Sequence, residues 1–351
     1  MKKQIISAFL FAFISCNVFA QSHEEKGRMA KLSVAFYNLE NLFDTEDGPN
    51  NDAEFLPDGS RQWTKERYEK KLHNLAYAIS KIADNGPDIL GVAEIENRKV
   101  LEDLIAQPEL KEKGYNIVHF ESPDYRGIDC ALIYKPNIFK LTNAIPHAVD
   151  IPGEPDIKTR DVVEATGEIF GDSISFLVGH WPSRSGGEEI SKARRMAAAL
   201  VMRKVADSLE NSNPKMKVIL MGDFNDDPTS ESLKKGLNTV GRVEDMNENT
   251  LFNTMEALYK NGYGSYAYRD TWNLLDNIVV NKNMIDHEHN TLSVLKDERS
   301  GYYGHIFNAK FLIDKRGRFK GYPHRTFSYG QFINGYSDHY PTYIYITKKI
   351  K

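Results

Sequence analysis

Residues 218–225, Val-Ile-Leu-Met-Gly-Asp-Phe-Asn, join a four-residue apolar run to a polar cluster. By its length and its bounding turn former, the run reads as a buried strand that ends by presenting Asp223 and Asn225. The same arrangement recurs along the chain. Leu32 to Tyr37 runs into Asn38-Leu-Glu40, Ile89 to Val92 into Ala93-Glu94, and Phe176 to Val178 into His180 of VGHWPSR. Further on, Asp276 precedes NIVV and Asp338-His339 precedes YPTYIYI. Helices fall between some of these runs. Thr64 can cap one whose apolar residues Tyr68, Leu72, Leu75, Ala76, Ile79, Ile82 and Ala83 keep helical spacing until Asn85-Gly86-Pro87 stops it. A second is predicted from about Glu189 to Leu209. Mixed strands and helices of this kind predict one α/β layered domain with strands buried on both faces.

Composition sets the outer limits. The chain has 351 residues, 41% hydrophobic and 27% charged, which suits a globular protein with a sizeable core. Lys2-Lys3, an apolar run and Val18-Phe19-Ala20 read as a secretory signal over 1–20, followed by a polar lead-in over 21–30 and a single catalytic domain over 31–351. The signal's apolar run is too short for an ordinary membrane span, and no later stretch is long enough, so no integral span is expected. A competing reading takes Cys16 as a lipid-attachment site, but Phe-Ile before Ser-Cys departs from a Leu-rich lipobox, and release after Ala20 is preferred. The formal net charge of -4 becomes more negative once the two leader lysines are removed. Cys130 is then the only cysteine, so the processed chain has no internal disulfide. The loop over 44–62, rich in Asp, Asn, Pro and Gly, is long enough to be functional. A second irregular region is expected over 236–264.

The polar clusters make a chemically coherent set. Asn38, Glu40, Glu94, Asp223, Asn225, Asp276 and Asp338 supply hard oxygen donors, and this set of candidates holds no cysteine cluster or closely spaced histidine pair. Such donors suit Mg²⁺, Mn²⁺ or Ca²⁺ rather than a tetrahedral zinc site. His180 and His339 add proton transfer. A hard cation beside imidazoles is equipment for attack on phosphorus. If the strands share sheets, their ends gather these side chains on one rim.

YNLENLF, AEIEN, YRGIDCALIYK, GHWPSR, GDFNDDP, LLDNIVV and YSDHYP, in that order, resemble the endonuclease/exonuclease/phosphatase superfamily. The match covers nearly the whole chain after Ala30 and implies a four-layer αββα sandwich with two mixed, mainly antiparallel sheets. It also implies residue roles. Glu94 is the principal metal ligand, with Asn38, Glu40 and Asp338 on the metal side; Glu40 stands where several relatives carry Asp. Asp223 and Asn225 orient the attacking water and hold the phosphate. His339 acts as general base or phosphate ligand, oriented by Asp276, and His180 serves the leaving oxygen. Arg126 and Arg184 are candidates for phosphate contacts, because guanidinium forks match phosphate oxygens, with a surface salt bridge as the alternative for each.

The expected substrate is nucleic acid, cut by a secreted, metal-dependent endonuclease that is taken to act as a monomer. Lys192, Arg194, Arg195, Arg203 and Lys204 form a basic helix that could face a backbone, although the acidic balance argues against tight nonspecific binding. The alternative is a sphingomyelinase-like or inositol-polyphosphate phosphatase-like hydrolase acting on a phospholipid or small phosphate ester. The aromatic stretches over 264–272 and 301–307 keep a lipid substrate open. A non-catalytic binding protein is disfavoured, because Glu94, Asp223 and His339 are all present.

Overall fold

The apolar runs pair into two sheets. The computed structural model describes residues 28–350; the expected leader, the lead-in up to residue 27 and Cys16 lie outside the described residues. The elements, in order, are β1 (Arg28–Leu42), α1 (Lys65–Lys81), β2 (Ile89–Ile95), α2 (Arg98–Ile105), a one-turn α3 (Pro108–Lys111), β3 (Asn116–His119), β4 (Asp129–Tyr134) and β5 (Lys140–His147). They continue with β6 (Val162–Ile169), β7 (Asp172–His180), α4 (Glu188–Ser212), β8 (Lys217–Asp223), β9 (Thr239–Val240), β10 (Leu251–Asn253), α5 (Glu256–Lys260), β11 (Tyr266–Tyr268), β12 (Thr271–Asn273) and β13 (Asp276–Val280). The last are β14 (Ser293–Val294), β15 (Gly304–Ile306), β16 (Phe327–Ser328), β17 (Gln331–Phe332) and β18 (Thr342–Ile350).

One seven-stranded sheet has the order β14-β18-β1-β2-β4-β3, with β15 also on β18; the other runs β5-β6-β7-β8-β13-β10-β9. Side-chain alternation divides the core. Val34, Phe36, Ala93 and Leu132 of the first sheet meet Phe176, Val178, Ile219, Met221 and Ile278 of the second. Their neighbours in sequence, Ala35, Tyr37, Leu90 and Val92, face Leu72, Leu75, Ile79 and Leu101 of α1 and α2. On the far side Leu177, Val218 and Leu220 pack on Ala198, Met202 and Ala206 of α4. The result is the expected α/β/β/α sandwich. Each buried Val, Leu, Ile, Phe or Met among them contributes about 1.5–3 kcal/mol of transfer free energy, and burial on both faces explains why the strands read as continuous apolar runs.

Thr64 caps α1 through its side chain, as read from the sequence. The stretch over 236–264 is more ordered than expected, holding β9, β10 and α5. Strands of two and three residues are too short to show a period, and Leu251 and Phe252 bury only because β13 is beside them. Cys130 is a buried strand residue. Among the described residues, no helix is long and apolar enough to cross a membrane.

Strand direction explains where the polar clusters go. β1 runs parallel to β2, and β7 parallel to β8, so Asn38, Glu94, His180 and Asp223 lie towards the ends of strands that leave at the same edge. β13 is antiparallel to β8 with Asp276 opposite Asp223, so its first residue lies on that edge. β18 is antiparallel to β1 and begins with Thr342 opposite Phe36, which puts Asp338-His339 there too.

Candidate active site

The two sheets are joined at this edge by a side-chain bond: Asn38 Nδ2 donates to Asp223 Oδ2 at 3.0 Å. Asp223 Oδ2 also stands 3.7 Å from Nε2 of both His180 and His339. His339 is held from behind, Nδ1 to Asp276 Oδ2 at 2.7 Å, and Ser265 Oγ donates to that same oxygen at 2.5 Å. Ser337 Oγ donates to the Asn38 carbonyl at 2.6 Å and accepts from His339 N at 3.1 Å, fastening the segment before β18 to β1. Glu94 Oε1 lies 3.9 Å from His180 Nε2, and its other oxygen accepts from Asn41 N at 3.0 Å.

The backbone here is unusual. Glu40, Asn41, Glu94 and Asn225 have φ of 49°, 50°, 59° and 51°. Non-glycine residues in the left-handed region cost on the order of 1–3 kcal/mol each and persist where surrounding bonds dictate them. Those bonds are present: Glu40 N donates to Asn38 Oδ1, and Asn225 N donates to Asp223 Oδ1. β7 and β8 also approach closely in front of the site, where a Cβ on Gly222 would meet the Gly179 carbonyl at 1.9 Å.

Charge separates the two imidazoles. Burial drives His180 well below its ordinary pKa, helped by Arg160, Arg126 and His339, so it is neutral at pH 7. Burial opposes charge on His339 as well, but Asp276 and Asp223 outweigh it and hold the imidazole well above its ordinary value. Asp223 is pushed up to about 6 by burial against the pull of His339, with Asp276 and Glu94 adding. Glu40 is pushed up to about 7 by burial and by Asp338, against Lys71. Two histidines in opposite states are the pattern of an acid and base pair.

The expected site residues fall into three groups. Asn38, Glu94, His180, Asp223, Asp276 and His339 form the contact network described above. Glu40 and Asp338 flank it: Glu40 accepts from Thr326 N at 2.6 Å, and Asp338 pairs with Arg325 at 3.0 Å. Arg126 stands at the mouth, 46% exposed and 3.8 Å from Glu94. Asn225 directs its amide to the Trp181 carbonyl at 2.9 Å. Arg184 takes the salt-bridge alternative, donating to the Asn225 carbonyl and to Asp227 at 2.9 and 3.2 Å. Trp181 is buried and stacked on Phe224, a packing residue.

The basic helix is neutralised. Arg194 pairs with Glu154, Lys192 with Glu231, Arg203 with Asp207, and Arg195 is fully buried against Asp226. Four of its five cations are thus held by carboxylates, which removes its claim as a backbone-binding face.

Three supporting residues escaped the sequence reading. Arg160 donates to the carbonyls of His180 and Trp181 at 3.1 and 2.7 Å and to Asp124 at 3.0 Å, locking the end of β7. Ser265 and Lys71 are the others. Lys71 is fully buried and donates to Thr326 Oγ1 and to the Tyr336 carbonyl. A lysine on the apolar face of α1, beside Tyr68, Leu72 and Leu75, was the available signal.

Potential ligand atoms of Asp223, Asp276 and His339 lie within 4.8 Å of one another. That triple is better read as a proton relay, because Asp276 already holds His339 Nδ1 at 2.7 Å and Asp223 Oδ2 stands 3.7 Å from its Nε2. By donor type, the oxygens of Asn38, Glu40, Glu94 and Asp338 suit a hard divalent ion.

Fold and site together describe a two-sheet sandwich with a buried cluster of carboxylates and imidazoles at one edge. The model of the Endonuclease/Exonuclease/phosphatase family matches residues 33–348, and the chain belongs to that family. No curated protein matches it in sequence. Three solved structures are similar. The human Nocturnin catalytic domain with bound sulfate is 19% identical, with 91% of this chain and 97% of that chain covered and a TM-score of 0.51. D. rerio TDP2 with single-strand DNA product is 13% identical, with 90% and 99% covered and a TM-score of 0.53. A mannosyl-6-phosphatase from Bacteroides thetaiotaomicron is 18% identical, with 90% and 99% covered and a TM-score of 0.50. At these identities the likeness is one of fold.

Proposed function

We propose that the protein is a secreted, Mg²⁺-dependent phosphodiesterase that hydrolyses nucleic acid by direct water attack. The observation that carries the chemistry is the buried Asp223–His339–Asp276 chain lying beside Glu94 and His180. Glu94, with Asn38, Glu40 and Asp338 near it, would hold the ion, which when bound offsets the charge of the phosphate and of the leaving oxygen. Asp276 fixes the His339 ring by its Nδ1, leaving Nε2 to face the reacting phosphate. Asp223 orients a water and accepts its proton, a role suited to a carboxylate raised to about 6. His180, neutral and with its Nε2 3.9 Å from Glu94 and 3.7 Å from Asp223, can hydrogen-bond a phosphate oxygen or the leaving group. No serine or cysteine is placed as a nucleophile in this network, so attack by water without a covalent intermediate is the economical route.

Nucleic acid is supported by the DNA-bound TDP2 of the same fold and by Arg126 at the mouth. A second reading, a phosphatase of small phosphate esters, draws on the acidic net charge, on the compact 200 Å³ pocket beside Glu40 and on the mannosyl-6-phosphatase of similar fold. The test is hydrolysis of supercoiled DNA, single-stranded RNA, sphingomyelin, inositol polyphosphates and sugar phosphates, with Mg²⁺, Mn²⁺ or Ca²⁺ and with chelator. Metal-dependent scission of nucleic acid is expected; intact nucleic acid with phosphate released from small esters would replace this reading by the second.

A further inference from the structure

The acidic chain carries one dense run of positive charge, Lys315-Arg-Gly-Arg-Phe-Lys320, with four cations in six residues. It is the tip of a loop closed by Asp314 N to the Tyr322 carbonyl and Gly321 N to the Asp314 carbonyl, both 2.8 Å, with left-handed turns at Gly317 and Gly321. Lys315, Arg316, Arg318 and Lys320 are all exposed, and none of them forms an ion pair among the described residues. They differ in this from Lys192, Arg194, Arg195 and Arg203 of α4, which are paired with carboxylates.

Behind the cations runs a file of rings. Tyr322 and Phe319 lie 5.7 Å apart, and Phe319 lies 5.7 Å from Tyr329. Tyr329 sits in the turn between β16 and β17 at φ 48°, with 82% of its surface exposed. A bulky residue in the left-handed region is disfavoured, and burial does not compensate for it here. Its ring instead borders a 200 Å³ pocket shared with Glu40, Asn41, Arg61 and Arg325. The file therefore leads from the basic tip to the metal side of the candidate site.

We infer that the 315–329 segment is a track for single-stranded nucleic acid, with phosphates on the four cations and a base stacked on Tyr329 at the pocket. This rests on the nucleic-acid reading above and narrows it. Exposed rings interleaved with cations bind unpaired strands, because every base has a face to stack, whereas the faces of duplex bases are already covered. The pocket admits one ring system, not a helix. An anionic membrane is the competing partner for such charges, but the segment offers no exposed aliphatic wedge: Leu312 is buried and Ile313 half-buried.

The experiment is fluorescence anisotropy of the full chain in chelator, with a labelled oligothymidylate of about 12 nucleotides, the corresponding duplex, and phosphatidylserine vesicles as probes. The expected order is single strand tighter than duplex, with no vesicle binding. The combined variant K315Q, R316Q, R318Q, K320Q should lower the slope of log affinity against log salt by up to about 0.7 per cation removed. Y329A should weaken single-strand binding about tenfold, as expected for one lost stack. Thermal melting of both variants checks the fold. Equal binding by wild type and both folded variants, duplex preference, or vesicle binding in place of strand binding would each overturn the track. Cleavage is read separately by adding Mg²⁺. A strand bound as predicted but never cut would overturn the nuclease reading and leave the track; a strand cut equally by all three proteins with unchanged affinity would do the reverse.

Discussion

His339 and Asp276 are joined Nδ1 to Oδ2 at 2.7 Å in a pair that is almost wholly buried. The bond fixes which ring nitrogen faces Asp223, and burial leaves water little chance to replace it. Asp276→Asn should therefore lower turnover by about 10²–10⁴-fold at saturating metal, the range of a lost acid or base function. Ser265→Ala, which removes one donor to the same carboxylate, should cost less. Steady-state rates with a melting curve for each variant check both; a near-normal rate in Asp276→Asn removes the pair from the chemistry.

Arg195 of α4 and Asp226, three residues after Asp223, form an ion pair at 2.8 Å. Both are buried, and Asp226 also accepts from Ser232 Oγ at 2.5 Å. Removing one partner strands a charge out of water, so Asp226→Ala should destabilise the fold by about 3–5 kcal/mol. Urea unfolding measures it, and a loss near zero would show the pair to be solvated.

The strand ends were legible in sequence because each apolar run stops at a polar residue whose type has chemistry. Asn38, Glu94, His180 and Asp223 could be read this way, and the order of the seven motifs supplied the sandwich that strand periodicity alone left open. Arg160 and Lys71 were not read, since a buried cation looks like any surface cation to a hydropathy pattern. The α4 cations were overvalued for the converse reason. Their partners Glu154, Asp226 and Glu231 lie in other segments, and only folding brings them together. The rings of 319–329 have no period, because a loop sets their order.

Glu96 is buried and accepts from Asp44 N at 2.8 Å and from Asn50 Nδ2 at 3.2 Å. Burial, with the Asp44 and Asp52 charges adding, pushes its carboxyl from 4.5 up to about 7. Between those values the folded chain holds a proton that the unfolded chain has lost, so this group's contribution to stability falls as pH rises from about 4.5 to about 7. Glu96→Gln should flatten the dependence of Tm on pH in that window. Asn50 can turn its amide to accept from the new donor, since its Oδ1 has no partner among the described residues. A parallel Tm profile in wild type and variant would refute the assignment.

Gly222 has no room for a methyl group, because a Cβ there would meet the Gly179 carbonyl at 1.9 Å and the Phe224 ring at 2.8 Å. Gly222→Ala must part β7 from β8 next to His180 and Asp223. A cost of about 1–3 kcal/mol or more is expected, together with loss of activity in whatever protein stays folded. Wild-type activity at a wild-type Tm would mean that the strands yield freely.

The central claim is that Glu94, with Asn38 beside it, holds a divalent ion on which hydrolysis depends. The most direct measurement is the hydrolysis rate of an activated phosphodiester by wild type and Glu94→Ala across a Mg²⁺ titration, with a chelator control and a calorimetric measure of metal binding. The account predicts saturable metal dependence in the wild type, none left in chelator, and loss of both rate and metal binding in a folded Glu94→Ala. A wild-type rate that survives chelation, or a Glu94→Ala protein that binds metal and turns over normally, would contradict it.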